Sequence, residues 1–286
     1  MGAADMTRRV AILGLGLMGG SLGLSLRALL ESPPEVAGYD VDPQVRQRAL
    51  EHGAITRAYA SPEETVEDAD LVVFAVPVLA MADLMSRVAP ALSRHAILMD
   101  LGSTKEQVLA WVEQMPTLAS RFVGGHPMAG SERQGIEGAR ADLYVGSVWC
   151  LTPSRQTDAD ALERALALVT RLGAKPLVLD AAWHDDLVAS VSHLPLVAAA
   201  ALVRIVANDP ERMVLAASGF RDTTRVASGS PEMARDICLS NRVALIRWLD
   251  TYISELNQFR SLINLADPEI VRLFEDAQAK RDNWLR

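Results

Sequence analysis

The chain has 286 residues, half of them hydrophobic and 22% charged, with 18 glycines, 14 prolines and a mean hydropathy of +0.13. That profile excludes a disordered, collagen-like or disulfide-scaffold protein, and the length predicts two domains, each large enough to bury a core. A net charge of −8 argues against a broad phosphate-binding surface for nucleic acid and favours a small, locally bound substrate.

Seventeen uncharged residues, Val10 to Leu26, follow Arg8 and Arg9 much as they would in a secretory signal. Five glycines within them suit neither a signal core nor a membrane helix. Strand-like and helical patterns then alternate: strand Arg9 to Leu13, helix Gly19 to Leu30, strand Glu35 to Tyr39, helix Pro43 to His52, strand Leu71 to Val76. The series continues with helix Val78 to Leu92, strand Ala96 to Asp100, helix Lys105 to Met115, and strands Phe122 to Gly124 and Val148 to Thr152. Helix Asp158 to Leu172 and strand Pro176 to Leu179 close it. Such alternation signals a parallel sheet with crossover helices.

After Asp180 only helical periodicity remains, at Asp185 to Asn208, Glu211 to Ala217, Pro231 to Leu265 and Glu269 to Asn283. Two domains are therefore expected, residues 1–181 as a Rossmann-type doubly wound α/β sheet and residues 182–286 as an all-α unit. Leu194 to Val203 is apolar almost all round, so its helix should be surrounded by others, and ten residues are too few to span a bilayer. That much apolar surface on a small helical domain predicts a homodimer through residues 185–265. Cys150 and Cys238 are far apart and show no zinc-ligand spacing, so no metal or disulfide framework is expected; the usage fits a cytoplasmic, non-membrane protein.

Gly14-Leu15-Gly16-Leu17-Met18-Gly19 follows a strand and opens a helix, and Asp40 follows the next strand, twenty-one residues after Gly19. This is the setting in which G-x-G-x-x-G binds a dinucleotide: a tight turn at Gly14, backbone approach of pyrophosphate at Gly16, close helix packing at Gly19. Asp40 should accept hydrogen bonds from the adenine ribose and repel a 2′-phosphate, so NAD is expected. Val76, at the end of the third long strand, completes the candidate cofactor residues. Arg46 and Arg48 are the side chains that could accommodate NADP; their simpler reading is a solvated helix face.

Ligands of open α/β sheets bind at the carboxyl ends of the strands. Two predicted loops there stand out, Asp100-Leu101-Gly102-Ser103-Thr104-Lys105 and Gly124-Gly125-His126-Pro127-Met128-Ala129-Gly130-Ser131-Glu132. Oxidation of an alcohol by NAD needs a base for the hydroxyl proton, and histidine titrates in the right range. His52 and His95 read as surface residues and His184 as a solvated or capping group, which leaves His126 and His193 as chemical candidates.

These two segments, followed by Ser192-His193-Leu194-Pro195 and Gly219-Phe220-Arg221-Asp222-Thr223-Thr224-Arg225, resemble the ordered motifs of prephenate dehydrogenases over essentially the whole chain. The resemblance implies NAD-dependent oxidative decarboxylation of prephenate to 4-hydroxyphenylpyruvate in tyrosine biosynthesis. It makes His126 the group that deprotonates or polarises the C4 hydroxyl and Ser103 the residue that orients hydroxyl and nicotinamide. Arg225 would hold the ring carboxylate and Arg221 would reach the pyruvyl carboxylate from a partner subunit. Glu132 would sit at the site mouth, with Ser192 and His193 also against the substrate. By the same resemblance, the chain is expected to carry neither the regulatory nor the mutase domain of some relatives.

Two departures matter. The family commonly reads Ser-His-Leu-Pro-His, but Leu196 replaces the second histidine, which opens arogenate as the alternative substrate. Ala234 stands where relatives often place a bulky aromatic, leaving room near the expected dimer interface. Two rivals remain: a 3-hydroxyacid dehydrogenase, whose interdomain-helix lysine is missing between Asp180 and Asn208, and a non-catalytic NAD-binding sensor, which would have no use for Ser103, His126 and Arg225 together.

Overall fold

The computed structural model describes residues 8–131 and 133–285. Its strands are β1 (Arg9–Leu13), β2 (Glu35–Tyr39), β3 (Arg57–Ala58), β4 (Leu71–Phe74), β5 (Ile97–Asp100), β6 (Phe122–Pro127), β7 (Val148–Pro153) and β8 (Lys175–Val178). They form one sheet in the order β3-β2-β1-β4-β5-β6-β7-β8. Helices α1 (Leu17–Leu29), α2 (Pro43–Glu51), α3 (Pro62–Val66), α4 (Met81–Val88), α5 (Glu106–Glu113), α6 (Pro116–Ala119) and α7 (Ala159–Arg171) connect the strands.

Alternation along the strands explains the two layers of helices. Val10 and Ile12 of β1, with Leu71 and Val73 of β4, pack with Leu22 and Leu26 of α1 and with α7. Ala11, Leu13, Val72 and Phe74 point to the opposite face, against α4 and α5. Because successive side chains of a strand alternate in direction, strands that are apolar at every position must be covered on both sides.

The sheet departs from the expected parallel arrangement at one place, where β6 and β7 pair antiparallel with His126 opposite Cys150. β6 also runs past Gly124 to Pro127, so His126 stands on a strand end rather than in a loop. The expected helix Val78 to Leu92 is divided into a 3-10 turn (Val78–Ala80), α4 and a second 3-10 turn containing Pro90. Both β3 and α3 escape periodicity because they are two and five residues long.

The chain continues as α8 (Ala181–Val188), α9 (Leu194–Val206), α10 (Pro210–Val214), α11 (Ser218–Thr224), α12 (Pro231–Ser240), α13 (Arg242–Asn264) and α14 (Ile270–Leu285). A π-helical turn at Ala189–His193 joins α8 to α9, so the helical run extends from Ala181 to Val206. These 26 residues, not ten, are long and apolar enough to cross a membrane, and only 22% of the apolar window is buried. Its polar residues nevertheless tie it to the rest of the fold: Asp185 binds the start of α5, and Asp186 accepts the indole N–H of Trp248 on α13 at 2.9 Å. The expected helix Pro231 to Leu265 is interrupted at Asn241, whose φ of −112° and ψ of 35° separate α12 from α13.

Candidate active site

β1, β4, β5 and β6 run parallel, so their carboxyl ends share one edge of the sheet. The chain leaves β1 through Gly14 at φ +98°, a left-handed conformation that favours glycine. A Cβ on Gly19 would strike the Gly14 carbonyl, so α1 can start this close to the turn only without a side chain there. Among the described residues, nothing lies within 4 Å of the position a Gly16 Cβ would take. The N-terminus of α1 has no side-chain cap and no acidic residue in its first turn. Its free N–H groups and dipole therefore face open space suited to a phosphate.

Leu15 is buried, and Leu17 and Met18 pack against the same core, while the Met18 carbonyl accepts the Tyr144 hydroxyl at 2.6 Å. Side chains between the glycines thus secure the loop and leave its backbone to a ligand. Asp40 accepts the Leu15 N–H at 2.9 Å and the Asp42 N–H at 3.0 Å, which fixes its carboxylate at the lip of this loop. Val76 is half-buried just past β4, beside the α4 side of the core. Arg46 donates to the Asp40 carbonyl and lies over the Tyr39 ring, and Arg48 faces Glu137 at 3.9 Å. Both arginines are engaged rather than lying on a bare solvated face. On these observations the residues fit a bound dinucleotide.

Further along the edge, Asp100 ends β5 fully buried and ion-paired with Lys105, which is also fully buried. Its carboxylate accepts the Gly102 N–H at 2.8 Å and the Gly125 N–H at 3.0 Å, the residues directly before Ser103 and His126. One buried acid therefore sets the spacing of two candidate residues that are far apart in sequence. Lys105 also donates to the Gly125 carbonyl at 2.7 Å. Ser103 is half-buried in this loop, and its neighbour Thr104 meets the Ser240 hydroxyl of α12 at 2.8 Å.

His126 does not stand alone. Its Nδ1 lies 2.9 Å from His184 Nε2, and His184 Nδ1 lies 2.8 Å from the Asp185 carboxylate. The same carboxylate accepts the N–H groups of Lys105 at 2.8 Å and Glu106 at 2.9 Å, capping α5 from another element. His184 is fully buried, which corrects its reading as a solvated or capping residue. His193 is buried beside this chain: Asn241 Nδ2 is 3.2 Å from its Nδ1 and donates to the Asp185 carbonyl at 2.7 Å. His193 Nε2 is one of the few buried polar atoms with no hydrogen-bond partner among the described residues.

Burial pushes His126 well below the usual histidine range, with His184, Lys105 and His193 adding to the effect. It lowers His193 to about 4, against the opposing pull of Asp185. Lys105 is lowered as well, by burial, with Asp100 acting the other way. Two neutral imidazoles at physiological pH follow, one with a proton partner already in place.

The remaining candidates lie on the helical part. Ser192 is exposed on the π turn beside buried His193. Arg221, on α11, is 79% exposed and 3.6 Å from Asp222, and Arg225 is exposed in the turn that follows α11. Glu132 lies outside the described residues. Leu196 and Ala234, the two departures noted in the sequence, line one apolar cavity of about 480 Å³ together with Ala200, Arg204, Arg235 and Cys238. Sequence reasoning quoted Asp100 and Lys105 within a loop segment without giving them a role, set His184 aside, and missed Asp185 and Asn241. The adjacent His-Asp pair at the start of a long helix was the local signal for the His184–Asp185 contact.

Comparison with known proteins identifies the family to which this fold belongs. Residues 23–178 match the family model described as prephenate dehydrogenase, nucleotide-binding domain, and residues 180–276 match prephenate dehydrogenase, dimerization domain. A prephenate dehydrogenase of Bacillus subtilis is 33% identical over 286 residues, covering 97% of this chain and 76% of the relative. A cyclohexadienyl dehydrogenase of Zymomonas mobilis is 32% identical, covering 96% of this chain and 95% of its own length. Among solved structures, prephenate dehydrogenase from A. aeolicus in complex with hydroxyphenyl propionate and NAD+ superposes with a TM-score of 0.90 at 31% identity, covering 97% of this chain and 98% of that one.

Proposed function

We propose that the chain, which belongs to the prephenate dehydrogenase family, is the NAD-dependent oxidoreductase that converts prephenate to 4-hydroxyphenylpyruvate and CO2. The observation that carries the reading is His126: half-buried, neutral, backed by His184, and on the same sheet edge as the dinucleotide loop.

Bound NAD supplies the acceptor for the hydride that leaves C4. His126 takes the C4 hydroxyl proton as the carbon–oxygen double bond forms. Loss of the ring carboxylate as CO2 then sends an electron pair through the ring to that oxygen, and the proton returns to it as the phenol. No net proton is released, so a site sealed from water suits this base. Ser103, positioned through Asp100, orients the hydroxyl. Arg225 binds the ring carboxylate, its planar fork suiting bidentate contact, and Arg221 serves the pyruvyl carboxylate from the partner subunit. Ser192, His193 and Glu132 complete the substrate contacts. Asp40 takes the adenine ribose, the backbone from Gly14 to Gly19 takes the pyrophosphate, and Val76 borders the cofactor.

The domain boundary in this reading falls between residues 181 and 182. The working unit is a cytoplasmic homodimer, supported by exposed apolar side chains on the helical part, among them Val191, Ile205, Val243 and Ile253. Arogenate is the second reading, favoured by Leu196 where the family commonly has histidine and by the cyclohexadienyl dehydrogenase relative.

The test is NADH formation at 340 nm with prephenate and arogenate separately, each with NAD and NADP. Turnover of prephenate with NAD is expected, and silence with both substrates would end the reading. His126→Asn should lower kcat by at least about a hundredfold, in line with general-base contributions, and leave NAD affinity unchanged.

A further inference from the structure

We infer that Asp185 sets opposite tautomers on His126 and His193, making His126 a proton acceptor and His193 a hydrogen-bond donor toward the substrate. The roles toward substrate rest on the proposed alcohol oxidation; the tautomers rest on hydrogen-bond geometry with His184 taken in its uncharged form.

The argument starts from groups whose direction is fixed. A backbone N–H only donates, and Asp185 faces two, from Lys105 and Glu106, one on each carboxylate oxygen. His184 Nδ1, at 2.8 Å from the first of these oxygens, must then donate as well. An uncharged imidazole has one donor and one acceptor nitrogen, so in that form His184 offers a lone pair at Nε2. His126 Nδ1 stands 2.9 Å away and has to supply the hydrogen. That leaves the lone pair of His126 on Nε2, the nitrogen a base needs.

On the other side the logic runs in reverse. The Asp185 carbonyl only accepts, so the Asn241 atom 2.7 Å from it is the NH2 group. The second hydrogen of that group points to His193 Nδ1 at 3.2 Å, which therefore accepts. His193 must carry its proton on Nε2, the buried atom that has no partner among the described residues. Buried donors rarely stay unpaired, and an anionic oxygen of the substrate is the acceptor that satisfies this one. Asp185 thus reaches His126 with its side chain and His193 with its backbone carbonyl. Protonated on Nε2 by substrate, His126 keeps its Nδ1–H on His184, and Asp185 stabilises the gained charge through that ring.

His184 and Asp185 are positioning residues in this scheme, and the test reads the tautomers directly. With 15N-histidine labelling, long-range 15N–1H spectra of the NAD-bound protein at pH 7.5 should show His126 as the Nδ1–H form and His193 as the Nε2–H form. His126→Asn and His193→Asn assign the signals by removing one each. An Nε2–H or doubly protonated His126 overturns the inference. In turnover, His184→Gln keeps an oxygen that can accept from His126 and should cost only about tenfold in kcat. His184→Phe should cost about a hundredfold or more, with the KM for NAD nearly constant. Equal rates for the two variants, or a wild-type rate for His184→Phe, would also overturn it. If the wild-type protein turns over neither prephenate nor arogenate, the functional reading fails while the spectra still decide the tautomers.

Discussion

On the sheet side of the site, Asp100, Lys105, His184 and Asp185 are buried and joined to the His126 strand by hydrogen bonds within one chain. On the helical side, Arg221, Arg225 and Ser192 are exposed, as are apolar residues such as Val191 and Ile246. The difference follows from what each half must do. A buried acid or imidazole is costly unless paired on the spot, so the proton-handling half has to be completed by the fold itself. A surface that receives a dianion can stay open until substrate and a second copy arrive. Damage to the first half should therefore cost stability and chemistry together, whereas damage to the second should change affinity.

The sharpest way to break this contrast is Lys105→Met. It leaves Asp100 charged, buried and unpaired, and removal of one partner from a buried ion pair costs about 3–5 kcal/mol. Urea unfolding should show a loss of that size; a loss below about 1 kcal/mol would mean that the pair is not sealed. Acidification probes the same half. His193 sits at about 4 in the folded protein and His126 well below its usual value. Unfolded histidines titrate near 6.5, so below that pH the unfolded chain binds the additional protons and stability falls until the folded values are reached. Each group contributes about 1.4 kcal/mol per pH unit in that window. Between pH 7.5 and 5.5 the two should cost about 2–3 kcal/mol in unfolding free energy, with no such loss above pH 7.

Arg225→Ala addresses the open half. Taking away a carboxylate's charged partner costs about 1.5–3 kcal/mol, so the KM for prephenate should rise roughly ten- to a hundredfold. Steady-state kinetics should show kcat changing less and the unfolding free energy holding within about 0.5 kcal/mol, as for other surface substitutions. A large loss of stability instead would place Arg225 in the folded framework and not at the substrate.

How much of this could be read from the sequence divides along the same line. β1 and β2 lie where alternation and the turn residues put them, and the glycine loop has the geometry its spacing implied, because those signals are local. The reversal of β7 and the helix break at Asn241 had no local cue strong enough to outweigh the continuing periodicity. His184 was misread for a related reason: an imidazole followed by two acids looks solvated in one dimension. What buries it is contact with β6, 58 residues away. Lys105 closes one of the two loop segments that stand out in the sequence, but only the Asp100 pair gives its amine a place. Local chemistry was legible, then, while the partners that tune it came from tertiary contacts.

The smallest expected effect lies at the cofactor end, where Asp40 combines features of both halves: its oxygens are held by Leu15 and Asp42, yet it stands at an open lip. Asp40→Ser removes the charge that would repel a 2′-phosphate and keeps a hydroxyl able to meet ribose or the Leu15 N–H. The ratio of kcat/KM for NAD over NADP should fall by about tenfold, equivalent to about 1.4 kcal/mol. Arg46, already drawn to the Asp40 carbonyl, is near enough to turn toward the added phosphate once the carboxylate is gone. The double substitution Asp40→Ser with Arg46→Ala should therefore recover part of the NAD preference. If the ratio does not move in the single variant, the carboxylate serves to hold the glycine loop and not to select the cofactor.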